Sequence, residues 1–252
     1  MPRRGRWNLQ RVGAVLGLLW ALSAIPVAGF YQSHWSRIIA LPKLVRLREE
    51  REGGRWTSVT QVSPWLVRAL IATEDRTFYS NLGVSFEGIA RSLLVDLRYH
   101  QLVEGGSTLT QQLVRDTLLS PQKTFRRKIS EALLAVMLTA LYSKREILSL
   151  YLNEVYLGNG FYGIGAASYG YFGVPPGSLT IAQATLVAGL PQAPSAYDPL
   201  LHYRAAKVRQ WQVLTSMVQD GMLSWRQANR VFRMPLGLRR LSPRKASLEG
   251  PA

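Results

Sequence analysis

The sequence predicts a mainly α-helical protein, and three observations predict it. Ser or Thr followed three residues later by Glu or Gln recurs ahead of apolar runs, at Thr108/Gln111, Ser143/Glu146 and Thr180/Gln183, which is the signature of capped helix starts. No stretch sustains the apolar–polar alternation of a half-buried strand. Hydrophobic residues make up 47% of 252 positions, enough for a core in one domain with an appendage.

In chain order, Val12 to Tyr31 carries no charged side chain and is long enough to cross a bilayer as a helix. Arg3, Arg4, Arg6 and Arg11 precede it, so residues 1–11 are expected in the cytoplasm and everything after the anchor at 12–31 outside. A charged connector over 32–60 leads to a folded domain expected over 61–235, and a basic tail over 236–252, centred on Arg239, Arg240, Arg244 and Lys245, is expected to be disordered.

Ser63-Pro64 reads as an N-cap and first helical residue, opening a helix that ends near Glu74-Asp75. A carboxylate at a helix C-terminus opposes the helix dipole, so Glu74 is expected to hold a proton more readily, which suits acid–base work. Phe86 to Tyr99 reads as an amphipathic helix. The run from Gly105 to Leu113 joins a glycine pair to a capped helix start, and its free N–H groups suit phosphate. Thr124 caps a helix through Tyr142 in which Arg127, Lys128 and Glu131 share a face. Ser143 opens a core helix, and Leu157 to Gly177, glycine-rich and aromatic, reads as a loop-rich wall for sugar rings or as aromatic packing around tight turns. Thr180 opens a helix stopping at Gly189, and Arg204 to Phe232 forms two helices broken near Gly221.

Lys and Arg outnumber Asp and Glu by 31 to 15, a net charge of +16 that favours an anionic partner. With no cysteine, and with His34, His100 and His202 widely spaced, disulfides, thiolate chemistry and a zinc site are excluded or disfavoured.

Taken together, five blocks in order resemble the peptidoglycan glycosyltransferases, glycosyltransferase family 51, over roughly Ser63 to Pro199. Glu74, Asp75, Phe78 and Gly83 meet the first block, with Asn81 where histidine is usual; Gly106 to Leu113 meets the second. Arg127, Lys128 and Glu131 meet the third; Lys144, Ile147, Leu148, Tyr151, Leu152 and Asn153 meet the fourth, with Ser149 replacing glutamate. Tyr171-Phe172-Gly173 and Ala188 to Pro194 meet the fifth, with Gly165 and Val174 where glutamate and lysine are common.

The resemblance implies a lysozyme-like lobe with a small membrane-associated lobe, acting on lipid II at the outer face of a bacterial cytoplasmic membrane as a single-pass protein. It implies that Glu74 is the general base and Glu131 the second catalytic glutamate, with Arg127 and Lys128 as cations for the leaving pyrophosphate. Asp75, Phe78, Asn81, Gly106, Ser107, Thr108, Gln111, Gln112, Lys144 and Asn153 are implied to line the substrate cleft. Glu131 either orients the cations or holds a divalent ion, Mg or Mn, on the diphosphate. The implied partners are lipid II, the growing glycan strand, the membrane and other cell-wall synthesis proteins, without nucleic acid. About 50 residues follow the fifth block, too few for a transpeptidase, so the monofunctional type is expected. The competing readings are a glycan-cleaving hydrolase, a lipid II-binding pseudoenzyme and, from basicity and a helix-turn-helix-like pair of helices near the C-terminus, a tethered nucleic-acid binder.

Overall fold

The computed structural model describes residues 26–51, 54, 56–85, 88, 106–122 and 124–239. Most of the expected anchor, the expected helix from Phe86 to Tyr99 and the tail beyond Arg239 lie outside the described residues. Among the described residues, no helix is long and apolar enough to cross a membrane.

The chain divides into two units, Met1–Leu41 and Pro42–Ala252. Of the first, residues 26–39 form helix α1. The second is wholly helical among the described residues, its one bridge being the isolated antiparallel pair Tyr156 and Tyr162. Its helices are α2 (Leu41–Arg51, reaching back one residue), α3 (Pro64–Glu74), α4 (Leu109–Leu118), α5 (Phe125–Leu141), α6 (Lys144–Glu154), α7 (Gly163–Phe172), α8 (Ile181–Ala188), α9 (Tyr203–Gln219) and α10 (Trp225–Arg233). A short 3-10 turn covers Val59–Gln61.

The helix starts fall where the side chains supply partners for orphan N–H groups. Reciprocal capping boxes form at Thr108/Gln111, Ser143/Glu146 and Thr180/Gln183, and Thr124 caps α5 through the Arg127 N–H. Ser63 does precede the proline that begins α3, but its hydroxyl does not cap it. That hydroxyl donates to the Leu179 carbonyl instead, fastening α3 to the segment before α8.

Two layers result. In one, α3, α8 and α9 pack mutually, with α10 against α9; in the other, α4 packs on α5 and α6, and α6 on α7. Leu66, Ala69 and Leu70 of α3, Ala184 and Val187 of α8, and Val213 and Leu214 of α9 are buried in the first. Leu109, Leu113, Leu134, Leu138, Ile147 and Leu148 are buried in the second.

Two expectations are corrected. The glycine-rich stretch 157–177 contains a helix, α7, because burial of Ile164, Ala167, Ser168, Tyr171 and Phe172 outweighs the poor helix propensity of its glycines. The start of the basic tail is docked: Gln183 donates to the Leu236 carbonyl, and Arg239 donates through its backbone N–H to the Tyr171 carbonyl at 2.8 Å and through its guanidinium to the Tyr169 carbonyl.

Candidate active site

Glu74 is the last residue of α3, and its side chain is 11% exposed. Gln112 Nε2, from α4, donates to one carboxylate oxygen at 3.0 Å, and Arg209 Nη2, from α9, donates to the other at 3.0 Å. The fully buried Tyr151 of α6 donates its hydroxyl to Gln112 Oε1 at 3.2 Å. The helix-end carboxylate thus faces a guanidinium, which offsets the unfavourable dipole of the helix end that the sequence pointed to. Burial and the neighbouring Glu74 both push the Tyr151 hydroxyl well above its ordinary range, so it stays a neutral donor.

A second cluster sits on α5. Glu131 is 1% exposed, with Lys128 Nζ at 2.7 Å from one oxygen and Arg127 Nη1 at 3.1 Å from the other. Glu131 Oε1 and Arg127 Nε are buried without a hydrogen bond, so the pair keeps donor and acceptor capacity in reserve. Lys128, 48% exposed, also donates to the Ser107 hydroxyl at 2.6 Å. Ser107, just before the Thr108 cap, holds Lys128, and Gln112, in the first turn of α4, holds Glu74, so the cation cluster and Glu74 both attach to one helix end.

Glu131 is buried, and its carboxylate holds the two cations Arg127 and Lys128 in place. The donor set for a divalent ion does not fit: one carboxylate already faces two cations, and among the described residues no three His, Cys, Asp or Glu side chains gather.

The expected anion site at the α4 start is filled from within. Asp75, the buried C-cap of α3, accepts the Leu109 N–H at 3.1 Å, while Thr108 and Gln111 cap each other and Thr108 donates to the Gly83 carbonyl at 2.6 Å. Burial raises the proton affinity of Asp75, opposed by the Leu109 N–H, Asn81, Thr77 and Lys144. Asn81 donates to Asp75 and accepts from Lys144 Nζ and the Gly83 N–H, each at 2.9 Å. Lys144 in turn lies over the Phe78 ring, 4.9 Å from its centroid, and burial lowers its proton affinity. Asp75, Phe78, Thr108 and Gln111 are thus buried and Asn81 and Lys144 half-buried, and together they clasp the segment after α3 to the starts of α4 and α6.

Asn153 is also corrected from substrate contact to structure. It is 2% exposed, accepts the Thr57 N–H, and donates to the carbonyls of Thr57 and Ser149. Ser149, in place of a glutamate, accepts the Val59 N–H at 3.1 Å and donates to the Arg145 carbonyl. Gly106 and Ser107 remain half-buried at the mouth of the cluster.

Arg209 and the role of Tyr151 were missed from sequence. A signal existed: Arg209 falls on the inward stripe of Ala206, Gln210, Val213 and Met217, where a charged residue needs a partner.

A model of the family described as Transglycosylase matches residues 42–218. The chain is 37% identical over 192 residues to penicillin-binding protein 1A of Aquifex aeolicus, covering 76% of this chain and 26% of that protein. It is 38% identical to penicillin-binding protein 2D of Bacillus subtilis over 196 residues, covering 78% of this chain and 28% of the other. It is 44% identical to penicillin-binding protein 1A of Escherichia coli over 170 residues, covering 68% and 20% respectively. A crystal structure of penicillin-binding protein 1A from Haemophilus influenzae aligns with TM-score 0.43 and 20% identity, covering 74% of this chain and 18% of that one. The helices from α3 to α8, the glutamate held between two layers and the basic pair all lie within the region that this family model matches. The chain belongs to the transglycosylase family, and it spans about a quarter of the length of these relatives.

Proposed function

We propose that the protein is a membrane-anchored peptidoglycan glycosyltransferase that polymerises lipid II into β-1,4-linked glycan strands outside the cytoplasmic membrane, anchored by residues 12–31. The observation that carries this reading is the presence together of Glu74, held by two donors, and a half-exposed lysine fixed by a buried glutamate. Glu74 takes the proton of the acceptor 4-hydroxyl, whose oxygen attacks C1 of the donor sugar. The bond from C1 to the pyrophosphate oxygen breaks with inversion, and undecaprenyl pyrophosphate leaves with the electron pair.

Charge builds on the leaving pyrophosphate, so fixed cations lower the barrier more than mobile ones. Lys128 is fixed on two sides, by Glu131 and Ser107, and its side chain is still about half exposed. A hydrolase acting on finished glycan has no leaving pyrophosphate for this cluster to stabilise. Asp75, Asn81 and Lys144 support the site from below, and cell-wall synthesis partners would meet the chain at the membrane.

The test is incubation of the detergent-solubilised full chain with labelled lipid II, beside Glu74→Gln. Lysozyme-sensitive polymer from the wild type, reduced about 100- to 10,000-fold by the substitution, supports the reading. Binding of lipid II without polymer would favour the pseudoenzyme, and cleavage of preformed strands the hydrolase.

A further inference from the structure

We infer that Arg209 is a positioning residue for the general base: it sets the direction of the Glu74 carboxylate, with Tyr151 fixing the opposing donor and Gly189 making room for the Arg209 stem. The inference rests on the polymerase reading and names how its base is aimed.

The Arg209 guanidinium is anchored three ways. Nε donates to the Gly189 carbonyl at 3.1 Å, Nη1 to Gln212 Oε1 at 3.1 Å and Nη2 to Glu74 Oε1 at 3.0 Å. Both partners of the ion pair are 11% exposed, so the contact is shielded from competing water. A planar fork held at Nε and Nη1 has little freedom at Nη2, so the Glu74 oxygen is located by α8 and α9 rather than by its own side chain.

The other oxygen is located from the opposite layer. A glutamine amide can present either its oxygen or its nitrogen, and Glu74 needs the nitrogen. The Tyr151 hydroxyl, buried and un-ionised, donates to Gln112 Oε1, and that turns Nε2 toward Glu74. One carboxylate is therefore gripped by donors from both layers, which leaves its exposed edge with a single orientation toward an incoming hydroxyl.

Gly189 is the enabling residue. A Cβ there would lie 2.7 Å from Arg209 Cγ and 3.3 Å from Val213 Cγ2, so any larger residue displaces the stem that carries the guanidinium. This gives the glycine at the α8 end a reason tied to a side chain twenty residues away.

The experiment uses the detergent-solubilised full chain and labelled lipid II. It compares kcat, KM and thermal unfolding for wild type, Arg209→Met, Arg209→Lys, Glu74→Gln and the Glu74→Gln/Arg209→Met double variant. Arg209→Met is expected to lower kcat by about 10- to 100-fold, the cost of a misaimed group, with KM within about threefold. Arg209→Lys, which keeps the charge but not the fork, should recover part of that loss. The double variant should be no slower than Glu74→Gln alone, because a residue that acts only through Glu74 has nothing left to aim. If Arg209→Met does not fold, Gly189→Ala, which leaves every donor intact and only shifts the stem, should show the same selective fall in kcat.

An unchanged kcat in Arg209→Met, or losses that multiply in the double variant, overturns the inference while leaving the polymerase reading in place. A wild type that makes no polymer overturns both.

Discussion

A carboxylate used as a base must accept a proton and return to one orientation, and Glu74 has a donor on each oxygen to enforce that. Tyr151→Phe removes one hydroxyl from a buried position and leaves the ring packing intact. The Gln112 amide then loses the partner that fixes its flip, and polymerisation is expected to fall about tenfold, by the order of one buried hydrogen bond. Steady-state turnover at saturating lipid II, with unchanged near-UV circular dichroism, checks it. Lys128 is a different case, because its ammonium, on a half-exposed side chain, is shared between Glu131 and Ser107. Lys128→Met should lower turnover and weaken inhibition by added pyrophosphate, whereas Ser107→Ala should leave most activity, since Glu131 still holds the lysine.

At the scale of elements, helix ends decide where functional groups stand. The Thr108 hydroxyl accepts from the Gln111 N–H and donates to the Gly83 carbonyl, so it caps α4 and ties down the chain after α3 with one oxygen. Thr108→Ala should cost about 1–2 kcal/mol, at the upper end for a cap, as a shift in urea unfolding midpoint. On α2, Glu49 is buried, one of its oxygens has no hydrogen-bond partner, and burial together with Glu50 raises its pKa from the ordinary 4.5 to about 7. Between those values the folded chain keeps a proton that the unfolded chain has released, so stability falls as pH rises through the interval and levels off above it. Urea midpoints measured from pH 4.5 to pH 8 should decline across that window, and Glu49→Gln should flatten the curve. The caps were legible in sequence because each lies within three residues of its partner. The α7 helix was not, because its glycines argue for turns locally and only burial against neighbours reverses them.

At the scale of the whole molecule, the site exists because two helical layers meet at the end of α3. Gly83 marks how closely they do so: its φ is +93°, and a Cβ would lie 2.3 Å from the Ala135 carbonyl oxygen of α5. Gly83→Ala should therefore separate the post-α3 segment from α5, lowering the melting temperature and activity together, unlike the selective kcat loss expected at Arg209. Asp75 spans the same junction by accepting the α4 N–H while its Asn81 partner holds Lys144 of α6.

By itself the sequence determined the helical class, the boundaries set by local caps, the candidate base Glu74, and the basic pair with Glu131 one helical turn away. Those are short-range relations, and helix periodicity fixes them wherever the helix sits. Only the tertiary structure decided which of the motif residues face outward. It sent Asp75, Asn81, Thr108, Gln111 and Asn153 into supporting clasps, filled the α4 start with Asp75, and brought Arg209 across 135 positions of chain to Glu74. Such contacts depend on which buried faces pack together, and one oxygen of a carboxylate can be claimed from anywhere in the chain that the packing delivers.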